Sequence, residues 1–250
     1  MVKIAVSRAS HILVPANYWK DKLIVKYNLP PTKIAVTYEG VDDVFSHSNF
    51  KLKPKLESPY LIYVGSLYPH KNVETVIKAV KILSGKVHFY ISCARNVFAS
   101  RLGKHDFVTF LGFVPDEELV DIYRNSLAFV TASKIEGFGL PGLEAMAAGT
   151  PVISSNSSCL PEVYGDGALY FDPDRPQQLA DKVSLLLKDA KLRKDLIAKG
   201  RKQVSKYSWQ KMANQTWDIY QKVLGNQGQT LSGPAIGGRS LQKIRKGLTL

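Results

Sequence analysis

Two acidic residues frame a loop that is rich in glycine. Glu136 and Glu144 stand eight positions apart, with three glycines and a proline between them and a helical run after them. Pro141 suits the first position of that helix, because the N–H that proline lacks would be unpaired there anyway. The free amides of the preceding loop can then converge on an anion or a sugar hydroxyl. With Glu144 in the first helical turn, one loop offers donors for phosphate and acceptors for hydroxyls, and a nucleotide-sugar carries both groups.

A second segment places a cation beside a helix end. The strand-like run that ends at Gly65 is followed by a loop and by a helix that we expect to start near Asn72. Asparagine is a favoured N-cap, because its side chain can accept a hydrogen bond from a backbone N–H. Lys71 would then stand at the positive end of a helix. That helix end contributes about 0.3–1 kcal/mol to holding a phosphate, and a charge-assisted hydrogen bond contributes about 1.5–3 kcal/mol.

Short β-rich runs alternate with helical patterns along most of the chain. This alternation predicts βαβ units and an α/β fold with a doubly wound, mostly parallel, Rossmann-like sheet. Ligands of such sheets bind at the carboxyl ends of the strands. The predicted strands are 12–14, 34–37, 60–64, 87–91, 107–111, 127–131, 151–154 and 168–171, and residues 1–8 are also predicted to be a strand.

The pattern divides the chain at a polar, basic stretch around Pro54. We predict a linker over residues 46–58, then a compact α/β domain over residues 59–224 that closes with helices near 179–187 and 209–224. Residues 225–250 are predicted to be a flexible basic tail. Residues 1–45 hold too few elements to bury a core alone.

Composition argues against several classes of protein. No apolar run approaches the roughly 20 residues that a membrane-spanning helix needs. Cys93 and Cys159 are the only cysteines and lack metal-like spacing, which favours a reducing, cytoplasmic compartment. The net charge of +13 favours phosphate-bearing ligands, or peripheral contact with the inner face of an anionic membrane. No nucleic-acid-binding motif accompanies this charge, so no nucleic-acid partner is expected.

Several motifs, in the same order, resemble the C-terminal, donor-binding half of retaining GT-B glycosyltransferases, in particular glycosyltransferase family 4. Residues 136–144 match the E-x7-E signature of the family. Residues 65–72 resemble another motif of the family, in which a loop that begins with glycine is followed by a lysine. The turn Gly112-Phe-Val-Pro115 is similar to the family's base-contacting turn. The likeness covers about residues 5–220, so that residues 1–45 resemble the end of the N-terminal GT-B domain.

The resemblance implies a role for each residue of the site. Lys71 would hold the diphosphate and stabilise its growing negative charge, Glu136 would contact the donor sugar near its reacting end, and Glu144 would accept hydrogen bonds from the ribose. The other implied donor-binding residues are Gly137, Phe138, Gly139 and Leu140 through their amides, Gly65 and Ser66 in the loop that leads to Lys71, and Phe113 and Val114 beside the base. Fixed cations and amides would take the leaving-group charge, so neither a metal nor another cofactor is expected; one such donor is worth roughly 10²–10³ in rate.

The implied reaction transfers a hexose, with mannose preferred, from a nucleotide diphosphate-sugar to a hydroxyl of a glycan or lipid-linked acceptor, with retention of configuration. Two departures bear on it. Ser66 stands five residues before Lys71, where many relatives carry an arginine. Most of the acceptor-binding domain of the family is also missing from the match. The chain is therefore open to a second interpretation, as the donor-binding subunit of a split glycosyltransferase whose acceptor domain is a separate chain.

Two further patterns leave alternatives open. Gly137, Gly139 and Gly142 also fit G-x-G-x-x-G, with Glu162 twenty residues after the last glycine. A dinucleotide-binding site is less favoured, because that fingerprint should end the first strand of its domain and several strands precede it here. The polar run 154–159 follows a predicted strand and could either meet the donor or be a plain loop.

Overall fold

The computed structural model describes residues 2–47, 56–94 and 98–225. Most of the predicted linker, and all of the predicted basic tail except Gly225, lie outside these residues. Ser46 and His47, which were expected to begin the linker, instead end a short helix.

Helices and strands alternate through the described residues, as the sequence pattern predicts. In chain order they are α1 (Val2–Arg8), β1 (Ile12–Val14), α2 (Asn17–Tyr27), β2 (Ile34–Val36), α3 (Val44–His47), β3 (Tyr60–Val64), α4 (Val73–Ile82), β4 (His88–Ser92), β5 (Val108–Gly112), α5 (Asp116–Asn125), β6 (Ala128–Thr131), α6 (Leu140–Ala148), β7 (Val152–Ser155), α7 (Leu160–Tyr164), β8 (Ala168–Phe171), α8 (Pro176–Lys188), α9 (Ala190–Val204) and α10 (Trp209–Gly225). The strands from β2 onward lie within one residue of their predicted bounds at each end.

Six strands form one parallel sheet in the order β5-β4-β3-β6-β7-β8. Successive side chains of a strand point to opposite faces. Leu61 and Tyr63 of β3 accordingly join an apolar cluster with α4 and α8, whereas Tyr60 and Ile62 join a second cluster with α5, α6 and α7. Helices thus cover both faces, which confirms the prediction of a doubly wound parallel sheet. All loops that follow these strands lie at one edge.

The N-terminal segment, residues 2–47, differs from its prediction at its start. Residues 2–8, predicted to be a strand, form α1, while β1 and β2 make a separate two-stranded parallel sheet. A strand needs a neighbour to satisfy its backbone groups, whereas a helix satisfies them internally. In the described residues no strand pairs with residues 2–8. Ala16 and Phe45 are buried in the cluster that holds α5, α6 and α7, so the N-terminal segment packs directly on the large sheet domain.

The sequence pattern missed α9. Asp189 caps this helix, because its side chain accepts a hydrogen bond from the Leu192 amide at 2.8 Å. Gly200 allows α9 to lie close to α6, since a Cβ at that position would stand 3.0 Å from Cγ of Met146. The buried residues of α9 are few, namely Leu196, Gly200 and Gln203. So short an apolar stripe in a strongly charged segment gives little periodic signal.

The last helix, α10, starts and ends close to its predicted bounds and reaches back to the N-terminal segment. Trp217 and Tyr220 line an apolar groove opposite His11 and Leu13. Trp209 packs against Gly40, where a Cβ would stand 2.8 Å from Cγ of the indole. Although both indoles contact the N-terminal segment, they remain 44% and 53% exposed. Neither tryptophan therefore belongs to the core.

Replacing Gly142 with alanine should destabilise the domain. An alanine Cβ there would stand 2.3 Å from the ring and hydroxyl of Tyr164, which is buried and cannot move freely. Overpacking of this kind costs about 1–3 kcal/mol, so we expect a lower midpoint of thermal unfolding for Gly142→Ala. Gly137→Ala is the matched control, because open space surrounds its Cβ position. Equal midpoints for the two variants would contradict this packing.

Candidate functional site

The two residues proposed for chemistry are in direct contact. Lys71 Nζ lies 2.6 Å from Glu136 Oε2, and the two side chains are only 20% and 14% exposed. They meet because Lys71 follows β3 and Glu136 follows β6, and these strands are neighbours in the sheet. Parallel neighbours end at the same edge, so residues that are far apart in sequence converge there.

The loop that carries Lys71 is held in place by Asn72. A 3₁₀ turn, Pro69–Lys71, leads into Asn72, which has a left-handed backbone (φ 53°). The expected capping role of the Asn72 side chain is wrong, since it makes no capping hydrogen bond to α4. Its amide instead donates to the carbonyls of Ala132, at 3.2 Å, and Pro173, at 2.8 Å. These two bonds tie the lysine loop to the loops after β6 and β8, while the side-chain oxygen of Asn72 accepts a hydrogen bond from Thr75 Oγ1 of α4 at 3.1 Å.

The second carboxylate oxygen of Glu136 is also occupied. Ser133 Oγ donates to Glu136 Oε1 at 2.6 Å, and Thr131 Oγ1 lies 3.1 Å from that serine hydroxyl. Lys71 and Ser133 together hold the carboxylate in one orientation. The sequence-based site did not include Ser133, although a hydroxyl two residues after a predicted strand and three residues before Glu136 is a signal that could have found it.

Side chains from three other elements bind the carbonyls of residues 136–139, which we call the glycine loop. Trp19 Nε1 donates to the carbonyls of Glu136, at 3.1 Å, and Gly137, at 2.8 Å. Ser158 Oγ donates to the Glu136 carbonyl at 3.1 Å, and Tyr164 Oη donates to the Gly139 carbonyl at 2.8 Å. The polar run 154–159 is thus a support of this loop through Ser158. Trp19 lies more than a hundred residues away in sequence, and no local pattern pointed to it.

Glu144 stands apart from the Lys71–Glu136 pair. It is the fifth residue of α6, beyond the first turn in which we expected it, because the helix begins at Leu140. Its carboxylate accepts a hydrogen bond from Tyr123 Oη of α5 at 3.2 Å. Burial raises the pKa of Glu144 to about 7; the nearby charges of Asp116 and Asp42 add to the rise, and the tyrosine hydrogen bond opposes it.

The structure places the other predicted donor-binding residues unevenly around the sheet edge. Phe113 follows the edge strand β5 and is 74% exposed, which leaves its ring free to contact a base. Gly65 has φ 141° at the end of β3, and the carbonyl of Ser66 accepts a hydrogen bond from Tyr63 Oη at 2.6 Å. Phe138, in contrast, is 3% exposed. Its ring packs between Tyr38 and Tyr207, so only its backbone could contact a ligand. Of the remaining predicted residues, Val114, Gly139 and Leu140 are half-buried or buried, and Gly137 is exposed.

The geometry opposes the dinucleotide-binding alternative. Glu162, which would bind a ribose in that reading, accepts hydrogen bonds from the amides of Asn17, at 2.7 Å, and Tyr18, at 2.9 Å, and from Tyr38 Oη, at 2.8 Å. Its carboxylate is therefore committed to the N-terminal segment. The glycine loop also follows β6, in the middle of the sheet, after three earlier strands of that sheet.

The order of elements and the site geometry agree with a family match. A family model described as "Glycosyl transferases group 1" matches residues 45–203, which is more than half of the chain. The chain belongs to this family. It is 38% identical over 181 residues to the O-antigen chain mannosyltransferase RfbU of Salmonella typhimurium, covering 70% of this chain and 50% of the relative. It is 30% identical over 230 residues to the O-antigen chain mannosyltransferase B of Escherichia coli, covering 85% of this chain and 60% of the relative.

Solved structures show the same fold. A glycosyltransferase from Rickettsia africae superposes with a TM-score of 0.78 at 19% identity, over 90% of this chain and 67% of that one. Anabaena Alr3699/HepE in complex with UDP and glucose superposes with a TM-score of 0.72 at 17% identity, over 88% of this chain and 65% of that one. Together with the family match, they confirm the predicted resemblance to GT-B glycosyltransferases. The chain spans 50% and 60% of the lengths of the two mannosyltransferases. Among the described residues, no helix has the length and apolarity to cross a membrane.

If Glu144 binds a ribose as a carboxylate, nucleotide affinity should depend on pH. The ionised form accepts hydrogen bonds from both ribose hydroxyls, and a pKa near 7 means that this form grows as the pH rises through about 7. We therefore expect the affinity for uridine or guanosine monophosphate to rise severalfold between about pH 6 and pH 8. Titration calorimetry at several pH values measures this dependence.

The control for this experiment is Glu144→Gln, which keeps the shape of the side chain and does not titrate. Any remaining slope in that variant belongs to the phosphate of the ligand, and is subtracted. Identical slopes for the two proteins would show that Glu144 does not act as a ribose acceptor.

Proposed function

We propose that this chain forms the donor site of a hexosyltransferase that uses a nucleotide diphosphate-sugar. The contact between Lys71 and Glu136 carries the proposal, because it puts a cation and a carboxylate together at the loop edge of a parallel sheet. The cation suits a diphosphate, and the carboxylate suits the hydroxyls of a sugar. The mannosyltransferase names of the two relatives and the complex of the Anabaena protein with UDP and glucose support this class of substrate.

Donor binding would exchange the partner of Lys71. The diphosphate takes the ammonium group away from Glu136, and Ser133 keeps the freed carboxylate oriented toward the sugar. As the bond between the anomeric carbon and the phosphate oxygen breaks, its electron pair moves to the diphosphate, where Lys71 and the glycine-loop amides stabilise the charge. The acceptor hydroxyl bonds to the anomeric carbon, and its proton goes to the departing diphosphate. These groups supply the charge stabilisation themselves, so the proposal includes no metal.

Finer details of the reaction follow from the resemblance to glycosyltransferase family 4. We propose retention of anomeric configuration and a GDP-mannose type of donor, the latter because both relatives named above are mannosyltransferases. Phe113 and Val114 would flank the base and Glu144 would bind the ribose. Because these relatives are longer than this chain, we propose that acceptor binding needs residues beyond it, in the same protein or in a separate chain. A glycan or lipid-linked acceptor fits their O-antigen names. A cytoplasmic site at the inner face of a membrane would suit the charge of +13.

The proposal predicts that Lys71 recognises the diphosphate more than the nucleoside. Loss of a charge-assisted hydrogen bond costs about 1.5–3 kcal/mol, which is roughly 10–100-fold in affinity. We expect Lys71→Met to weaken binding of GDP-mannose or UDP-glucose by about this factor, with a much smaller effect on the matching nucleoside monophosphate. Titration calorimetry with both sugars, and with the bare nucleotides, measures the difference and identifies the base.

Lys134→Met is the matched control. Lys134 lies in the same loop as Glu136, but its ammonium group pairs with Asp174 on the exposed surface. This variant should bind the donor like the wild type. Absence of nucleotide-sugar binding in the wild type, or equal losses in the two lysine variants, would reject the proposed donor site.

The split-enzyme alternative needs a different measurement. If the acceptor domain is a separate chain, that chain should co-purify with this one from its native source, and the pair should transfer sugar where this chain alone does not. Transfer by a single longer polypeptide that contains this sequence would reject the alternative.

A further inference from the structure

We propose that Trp19 of α2 is a positioning residue for the donor, because it fixes the peptide planes of the glycine loop. In this view the N-terminal segment completes the donor site although it lies outside the residues matched by the family model. The inference rests on the proposed function for its ligand, but its structural part can be tested without one.

The argument starts from the geometry of the peptide bond. In a trans peptide the C=O and the following N–H are coplanar and point in opposite directions. The Trp19 indole N–H reaches the carbonyls of Glu136, at 3.1 Å, and Gly137, at 2.8 Å. These two contacts therefore aim the N–H groups of Gly137 and Phe138 away from the indole. In the described part of the chain, those two amides donate no hydrogen bond to another residue, so they are available to a ligand.

The loop needs an external support. Gly137 is exposed, and open space surrounds its Cβ position, so no packing restrains it. Cys159 Sγ lies 3.3 Å, 3.4 Å and 3.5 Å from the carbonyls of Glu136, Gly137 and Phe138, but a thiol is a weak donor. Among these side chains, only the indole joins a strong donor to both peptide planes, whereas Ser158 reaches one.

A second contact holds Trp19 in position. Helix α2 begins with neither an acidic residue in its first turn nor a side-chain cap from Ala16. Glu162 of α7 replaces the cap from across the interface, accepting the amides of Asn17 and Tyr18. Burial alone would raise the pKa of Glu162, but these amides and the Tyr38 hydroxyl lower it, so the carboxylate is ionised at neutral pH. A negative charge at a helix N-terminus is stabilising. Glu162 thereby anchors the helix two residues before the indole.

The first test removes the indole N–H and keeps an aromatic ring. Trp19→Phe should lower the NMR order parameters of the Gly137 and Phe138 amides, which report the mobility of these N–H groups, and weaken nucleotide-sugar binding about three- to tenfold, as expected for one lost hydrogen-bond donor. Binding of the nucleoside monophosphate should change little, because it does not reach the loop amides. The probes are GDP-mannose and UDP-glucose with GMP and UMP. Trp217→Phe is the matched control, since that indole lies on α10 and makes no contact with the loop.

The second test weakens the anchor. Glu162→Gln keeps the shape of the side chain but loses the charge that caps α2, and should reproduce both effects of Trp19→Phe at smaller size. Asp195→Asn, on the exposed face of α9, controls for the loss of one negative charge.

The outcomes separate this inference from the proposed function. Unchanged order parameters of the Gly137 and Phe138 amides in Trp19→Phe would overturn the positioning role, and so would equal losses of monophosphate and nucleotide-sugar affinity, which would indicate general damage. If the wild type bound no nucleotide-sugar, the proposed function would fall, while the order parameters would still decide whether Trp19 fixes the loop.

Discussion

The site depends on one ion pair between the loops of two neighbouring parallel strands. Lys71 and Glu136 are 65 positions apart in sequence and 2.6 Å apart in space. Both are largely shielded from water, so neither charge could stay there alone without a cost of several kcal/mol. The pair therefore requires β3 and β6 to be adjacent, and it requires the loops after them to be held rigidly. Asn72 and Ser133 supply that rigidity with hydrogen bonds to the carbonyl of Ala132 and to the carboxylate itself.

The same pair explains how the two charges are tolerated in a place that is shielded from water. If the lysine and the glutamate faced the cleft separately, each would be an unpaired charge that is shielded from water, which is unfavourable. In contact, they neutralise each other and satisfy their hydrogen bonds, and a diphosphate can replace the carboxylate as the partner of the lysine. Glu144 follows a different rule. It lies on α6 beside Tyr123 and two further acids, where burial favours its neutral form. The two carboxylates of the E-x7-E signature thus occupy distinct environments within one short segment.

The N-terminal segment and the sheet domain are joined by specific hydrogen bonds as well as by apolar packing. Glu162 caps α2, and α2 carries Trp19 to the glycine loop, so one contact stabilises a helix and the next orients backbone donors. Ala16 and Phe45 add apolar packing to the same interface. The conformation of the loop is therefore a property of both parts of the chain. This coupling places the support of the loop on the side opposite its free amides, where a ligand would not disturb it.

The sequence by itself determined the alternating α/β pattern, the strands of the sheet and the loops that carry Lys71 and Glu136. Apolar periodicity and turn residues are local signals, and the bounds of the strands are set within a few residues of the chain. It could not determine α1, α9 or the true role of Asn72. These depend on a strand partner that the described residues do not supply, on a close approach of Gly200 to Met146, and on carbonyls from distant loops. Only the tertiary structure decided that Lys71 contacts Glu136 and that Trp19 supports the glycine loop. Those contacts join residues that are far apart in sequence. Their partners are set by strand order and helix packing, and neither of these can be predicted from the local sequence around each residue.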